Sequence, residues 1–246
     1  MALHSDVEWT EATWNPVTGC SPVSAGCANC YARRFAWRLQ AAGMAKYRNG
    51  FKVTTHEDEL LTPQGWKKNR MVFLCSMGDL FHEKVPPEFI HRVFEVMRSC
   101  KQHVFQVLTK RSQRLRQLAP ALPWPDNVWM GVTVEDAHNV SRIVDLVVTP
   151  AKIKFLSVEP LLSDIPNLPL QGIDWVIVGG ESGPGARPIR REWVISIRDQ
   201  CRKARVAFYF KQWGGTRKHA NGRTLDGRIY EEMPAVVDQP AASAFF

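Results

Sequence analysis

The sequence holds no run approaching the ~18 consecutive apolar residues of a membrane-spanning helix, which excludes an integral helical membrane protein. Its opening segment, MALHSDVEWTEATW, lacks a basic region followed by an apolar stretch, so no secretory signal is expected and the cytoplasm is the expected location. Cysteine is sparse, six in 246 residues, and six cysteines without an export signal do not point to a disulfide framework. No short period repeats, no segment is of low complexity, and no linker divides the chain. What is present, 45% apolar and 23% charged residues, is globular composition in a chain long enough to bury a sizeable core. A single domain over residues 1–246 is expected.

Charge is unevenly spread. The formal net charge is +8, from 32 basic and 24 acidic residues. Between Arg187 and Arg228 stand 12 basic residues against Glu192, Asp199 and Asp226, a local excess of +9, while the remaining 204 residues carry 20 basic and 21 acidic groups. A localised positive stretch suggests a polyanionic partner, nucleic acid or a nucleotide first among them; a solvated, solubilising surface is the plainer alternative.

Strand-length apolar runs recur at Thr13–Thr18, Met71–Met77, His103–Thr109, Val128–Val134, Ile153–Val158, Trp175–Val178 and Val206–Phe210. Most are continuously apolar or β-branched, as strands buried on both faces are. Helix-period segments lie between several of them, at Glu88–Cys100, Ser112–Leu118, Asp136–Val147 and Glu192–Ala204. Strand and helix in alternation imply parallel pairing through right-handed crossovers. The expected fold is therefore α/β, a partial (βα)6-type parallel barrel over 9–211 with a basic C-terminal extension over 212–246.

The segment CSPVSAGCANC places Cys20, Cys27 and Cys30 within eleven residues, just after the first expected strand and before a helix. Parallel α/β folds build their sites in such loops, at the carboxyl ends of strands. Three thiolates in one loop suit two different groups. A structural zinc ion needs a fourth protein ligand, with Cys75, His56 and His82 as candidates. A [4Fe-4S] cluster on three cysteines keeps one iron without a protein thiolate, open to a small chelating ligand.

Beyond the cysteines, the chain carries GDLFH at Gly78–His82, VGGESGPGARP at Val178–Pro188 and FKQWGG at Phe210–Gly215. With these segments, over about Trp9–Met233, it resembles phage- and prophage-associated three-Cys-motif proteins of largely undefined activity. More broadly, the cysteine loop ahead of a six-stranded βα succession resembles radical S-adenosylmethionine enzymes. In those the open iron chelates the amino and carboxylate groups of S-adenosylmethionine. Their usual spacing is C-x3-C-x2-C with an aromatic before the last cysteine. Here six residues separate the first pair, Asn29 precedes Cys30 and Tyr31 follows it.

In a parallel barrel the residues after each strand face one mouth. The resemblance assigns the backbone at Ser76 and the carboxylate of Asp79 to the methionine amino group; a helix cap is the alternative for this segment. Lys110, next to Arg111, suits the methionine carboxylate or a phosphate, because cations at a helix start oppose the macrodipole and ask for an anion. Glu135 is preferred over Asp136 for the ribose hydroxyls. Gly179 and Gly180 permit close backbone approach to the cofactor, with Glu181 beside them. Glu159 faces substrate or pairs with Arg187. Lys211, Trp213, Arg217 and Lys218 interleave a ring with cations, a pattern suited to bases and phosphates. Trp9, Trp14 and Trp66 are further stacking candidates, although most tryptophans must be core. Cys75 is a candidate hydrogen-atom donor, with burial as a small apolar residue the preferred reading.

Two functions fit. The first is an enzyme with a [4Fe-4S] cluster and S-adenosylmethionine that modifies or repairs a nucleobase, drawing one electron from a reductant. A partner protein or long polymer could close the open side of so short a barrel. The second is a zinc-holding, non-catalytic nucleic-acid-binding protein. Polar groups after every expected strand favour the enzyme.

Overall fold

The structure is a computed structural model that describes residues 7–217 and 220–235. Seven strands form one parallel sheet: β1 (Ala12–Trp14), β4 (Met71–Leu74), β5 (Val104–Thr109), β6 (Val128–Thr133), β7 (Ile153–Val158), β8 (Trp175–Gly179) and β9 (Ala207–Gln212). Their spatial order is their sequence order. Each crossover thus steps the same way, and right-handed crossovers place the helices on one face. The result is a curled half-barrel, as the alternation of apolar runs and helical segments implies. Two short strands, β2 (Val17–Thr18) and β3 (Thr54–Thr55), pair antiparallel apart from the sheet.

The helices are α1 (Tyr31–Ala41), α2 (Pro87–Ser99), α3 (Ser112–Leu118), α4 (Ser141–Val147) and α5 (Arg191–Ala204). In α2, Pro87 suits the first helical position, where no N–H is needed, and Phe89, Ile90, Val93 and Met97 are buried. No helix among the described residues is long and apolar enough to cross a membrane.

Three expected elements differ. The first strand run breaks after Trp14 because Pro16 has no N–H to give a ladder, and Val17–Thr18 turn away to pair with β3. The second run stops at Leu74, where Cys75 takes a left-handed φ of 59°. The fourth helix is shorter than Asp136–Val147: Asp136 caps a single 3-10 turn, accepting from the His138 N–H at 3.0 Å, and α4 begins only at Ser141.

The inner face of the half-barrel is filled by period-two alternation. Toward the amino ends stand Phe73, Trp129, Phe155, Trp175 and Tyr209, closed below by Trp9. Trp175 lies at the centre, with ring centroids 5.8 Å from Phe155, 5.9 Å from Tyr209, 6.1 Å from Trp129 and 6.2 Å from Trp9. The Gln106 amide donates to the Trp9 carbonyl at 3.1 Å, tying the plug to β5. Trp9 and Trp14 are therefore core and not stacking platforms, and Trp66 packs against the core edge-on to His103. One strand pair further along, Gly131 meets the Phe155 ring, where an added Cβ would stand 2.5 Å away. The opposite face of the sheet packs on the helices through Val72, Phe105, Met130, Leu156, Val176 and Phe208.

The described part of the C-terminal extension runs beside β9. Phe210 N–H donates to Tyr230 O at 3.0 Å and Glu232 N–H to Phe208 O at 3.3 Å, so residues 230–232 add an antiparallel stretch to that edge. At Gly131, replacement by alanine is expected to destabilise the protein by about 1–3 kcal/mol through overpacking against Phe155. Denaturant unfolding checks this, and Phe155→Leu in the same chain should return part of the loss. An unchanged midpoint for Gly131→Ala would show that the plug yields freely.

Candidate active site at the carboxyl rim

Carrying the inner-face alternation past the strand ends brings Glu135 from β6, Glu159 from β7 and Glu181 from β8 to the same rim. Each is matched to a cation or a set of donors. Glu135, fully buried, takes Arg142 at 2.7 Å, Lys110 at 3.5 Å and the Ser24 hydroxyl at 2.5 Å. Although burial opposes its ionisation, Lys110, Arg142 and the Ser24 hydroxyl together hold its pKa below the usual carboxylate value. Glu159 pairs with Lys211 at 3.0 Å, not with Arg187, and this carboxylate keeps the Lys211 ammonium charged against its burial. The peptide from Glu159 to Pro160 is cis. Glu181 takes Arg187 at 2.6 Å, the Arg187 N–H at 2.9 Å and the Asn29 amide at 2.9 Å.

The cysteine loop lies across this rim. Ser24 holds Glu135, and a Cβ on Gly26 would stand 2.5 Å from the Glu135 carboxylate, so only glycine lets the loop come this close. At its far end, Asn29 reaches Glu181, and Arg34 of α1 donates to Pro184 O at 2.9 Å and Ser182 O at 3.3 Å. The Tyr31 hydroxyl donates to Ser76 O at 2.5 Å. Cys20, Cys27 and Cys30 are free thiols, all half-buried. Cys30 occupies the N-cap position of α1 without a side-chain hydrogen bond to the helix.

A second buried network holds Cys20. Asp79 accepts from the Thr109 hydroxyl at 2.8 Å, the N–H groups of Phe81 and Lys110 at 2.9 and 3.2 Å, and Arg111 at 3.1 Å. Arg111 also meets Glu83 at 3.0 Å, Ser21 at 3.0 Å and the Cys20 sulfur at 3.3 Å. The anion asked for by the cations after β5 is thus supplied by the protein itself, from Asp79, Glu83 and Glu135. Burial, with Asp79 nearby, raises the Cys20 thiol to about 11, while Arg111 pulls the other way. Cys75 is buried and its pKa is raised by desolvation, in keeping with its reading as a small core residue.

Three thiols in one loop are the donors that a [4Fe-4S] cluster, or a zinc ion with one more ligand, would draw on. Both histidines offered as a fourth zinc ligand are engaged by hydroxyls at 2.8 Å, His56 by Thr18 and His82 by Ser21. Among the described residues, no three His, Cys, Asp or Glu side chains stand in an arrangement that could hold a metal ion. The thiols share a loop and a polar surround without converging.

The structure brings Glu135, Glu181, Lys110, Glu159, Arg187 and Lys211 to one rim. Ser76 is linked to it by Tyr31, and Asp79 lies beneath the cysteine loop. Gly180 has no room for a side chain, since a Cβ would lie 2.0 Å from Trp213 O; its N–H is taken by Gln212 O. Gly179 backs onto Glu159 in the same way, at 2.8 Å. Trp213 leans on Phe210 and donates from its indole to Thr224 O. Arg217 is exposed, and Lys218 lies outside the described residues. Sequence reasoning missed Arg142, Ser24, Asn29 and Tyr31. An arginine in the first turn of α4 and a loop serine carry no spacing signal of their own; only the buried Glu135 singles them out.

A family profile described as "Protein of unknown function (DUF5131)" matches residues 4–234. No curated protein matches the chain. Among solved structures, a spore photoproduct lyase complexed with dinucleoside spore photoproduct is similar at a TM-score of 0.44 and 10% identity, over 76% of this chain and 59% of that one. The chain therefore spans less than two thirds of that structure's length.

The Glu181–Arg187 pair makes the rim accessible to titration. Burial disfavours the Glu181 carboxylate, but hydrogen bonds from Arg187 and Asn29 outweigh it and lower its pKa from the ordinary 4.5 to about 2. Because the folded value is depressed, the resulting stability is fully present above about pH 4.5 and is lost as pH falls through about 2. Arg187→Ala should therefore be less stable than wild type at neutral pH, with the gap closing toward pH 2. Denaturant midpoints between pH 7 and pH 2 measure it; a gap independent of pH would rule out this pair as its source.

Proposed function

This chain belongs to the DUF5131 family of proteins of unknown function, and we propose that it is an iron–sulfur enzyme that uses S-adenosylmethionine to modify or repair a nucleobase. The observation that carries the reading is the placement of three free thiols in one loop across the carboxyl rim of a parallel half-barrel. That rim is where such folds put their chemistry, and three thiolates are the donor number that leaves one iron of a [4Fe-4S] cluster open.

When bound, the cluster supplies one electron from an external reductant to S-adenosylmethionine, giving methionine and a 5′-deoxyadenosyl radical. The chain's own residues then have separable tasks. Cys20, Cys27 and Cys30 hold the iron, and Arg111 orients Cys20 and favours its thiolate by donating to the sulfur. The thiols must turn toward one another on loading, and the loop has the means, because its hold on the rim is a few hydrogen bonds from Ser24 and Asn29. Glu135 would offer the ribose hydroxyls the oxygen that Ser24 and Lys110 hold, while Arg142 keeps the other. Lys110 would hold the methionine carboxylate, the Ser76 carbonyl and Asp79 would take its amino group once a donor of the Asp79 network gives way, and the backbone at Gly179 and Gly180, with Glu181, would line the remaining wall. Glu159 and Lys211, paired inside the mouth, face the substrate.

The experiment is anaerobic purification and reconstitution, iron and zinc analysis, then S-adenosylmethionine with a strong reductant. About four irons per chain and release of 5′-deoxyadenosine are expected. Alanine at Cys20, Cys27 or Cys30 should abolish both while leaving the thermal transition of the apoprotein within a few degrees of wild type. One tightly held zinc with no cleavage, and a fold lost with the metal, would overturn the reading in favour of a structural zinc protein.

A further inference from the structure

Of the twelve basic residues between Arg187 and Arg228, five are ion-paired among the described residues. Arg187 is held by Glu181, Arg191 and Arg198 by Asp226, Lys211 by Glu159 and Arg223 by Glu231. Arg202 and Arg228 lie over the Tyr230 ring, and Arg190 over Trp193.

Helix α1 is arranged the opposite way. Its sequence, YARRFAWRLQA, contains three arginines and no acidic residue, and among the described residues none of the three is ion-paired. Its buried residues are the small ones, Ala32 and Ala36, while Tyr31, Phe35 and Trp37 are 54%, 48% and 53% exposed. An ordinary surface helix turns its large apolar side chains inward. Here Tyr31, Arg34, Phe35 and Arg38 form one wall of a groove of about 310 Å³ whose other wall is the loop at 182–184. Arg34 is fixed by that loop's carbonyls, and Arg33 lies over the Trp37 ring.

We infer that this groove binds a single-stranded or locally unstacked stretch of nucleic acid. Exposed rings interleaved with unpaired cations match bases and phosphates together, and the rings require base faces that a stacked duplex hides. An apolar protein partner is a poor match for the two arginines that line the groove, and a cationic one is repelled by them. Tyr31 joins the groove to the mouth: its ring borders the groove while its hydroxyl reaches Ser76 O. A strand lying along α1 thus places one nucleotide beside the rim. The inference deepens the proposed function by locating its nucleic-acid substrate in the groove between α1 and the 182–184 loop, which Thr216 also borders.

The test is fluorescence anisotropy of the full chain with labelled single strands of about 12 nucleotides, DNA and RNA, within the ~4–16 nucleotide range of such sites. Phe35→Ala should weaken binding about tenfold. Arg38→Ala should weaken it and flatten the slope of log affinity against log salt by about 0.7, the loss of one phosphate contact on a single strand. Both side chains are exposed, so melting curves should match wild type. Unchanged binding in both variants, binding lost instead in Arg217→Ala/Lys218→Ala, or no binding by wild type would overturn the inference. The assay needs no cluster: α1-dependent binding by a protein that never takes up iron would uphold the groove and refute the enzyme. Iron uptake and cofactor cleavage with α1 variants that bind as wild type would do the reverse.

Discussion

The depth of the mouth is set by one packing constraint, the filling of the half-barrel's inner face around Trp175. Parallel strands in sequence order leave that face to be closed by side chains alone. Trp9, Phe73, Trp129, Phe155 and Tyr209 close it toward the amino ends. Because side chains alternate along a strand, fixing the plug also fixes which residues face inward two and four positions further on. Gly131, Ser157 and Ile177 come two positions on; the rim is reached at Glu159 two positions later, and at Glu135 and Glu181 four positions later, past Thr133 and Gly179. An aromatic floor, a narrow step and an acidic rim result from one period.

Three carboxylates so close together would repel one another and resist burial without compensation. Arg142, Lys211 and Arg187 each answer one of them, and donors from the cysteine loop answer two. The loop that carries the thiols is thereby also a counterpart of the rim. The same few hydrogen bonds from Ser24 and Asn29 thus tie the thiol-bearing loop to the rim carboxylates.

Much of this was legible in the sequence. The apolar runs marked the strands of the sheet and the alternation its parallel winding, since buried strands are written in continuous Val, Ile and Phe. The strand-end glutamates were legible because their position after each run follows from register. Pairing was not: Glu159 meets Lys211 and not Arg187, and Arg142 is reached only by folding α4 back over β6. The basic excess near the carboxyl end was visible as composition, but which of its cations are paired needed the three-dimensional positions of Asp226, Glu231, Glu181 and Glu159. Conversely, α1 hides its character in the sequence, where two alanines among arginines and rings do not announce which side is packed. Pro16 and the left-handed Cys75 ended strands that apolar content alone extended.

The unclosed barrel has one further consequence, for self-association. An open sheet ends in two strands with unpaired backbone groups, templates on which a second chain can grow a cross-β aggregate. Here the two ends are dealt with differently. The β9 end receives residues 230–232 as an antiparallel cover, while the β1 end is kept to three residues before the chain turns off at Pro16. The half-barrel therefore keeps its mouth open to solvent without offering a long adhesive edge to its own copies.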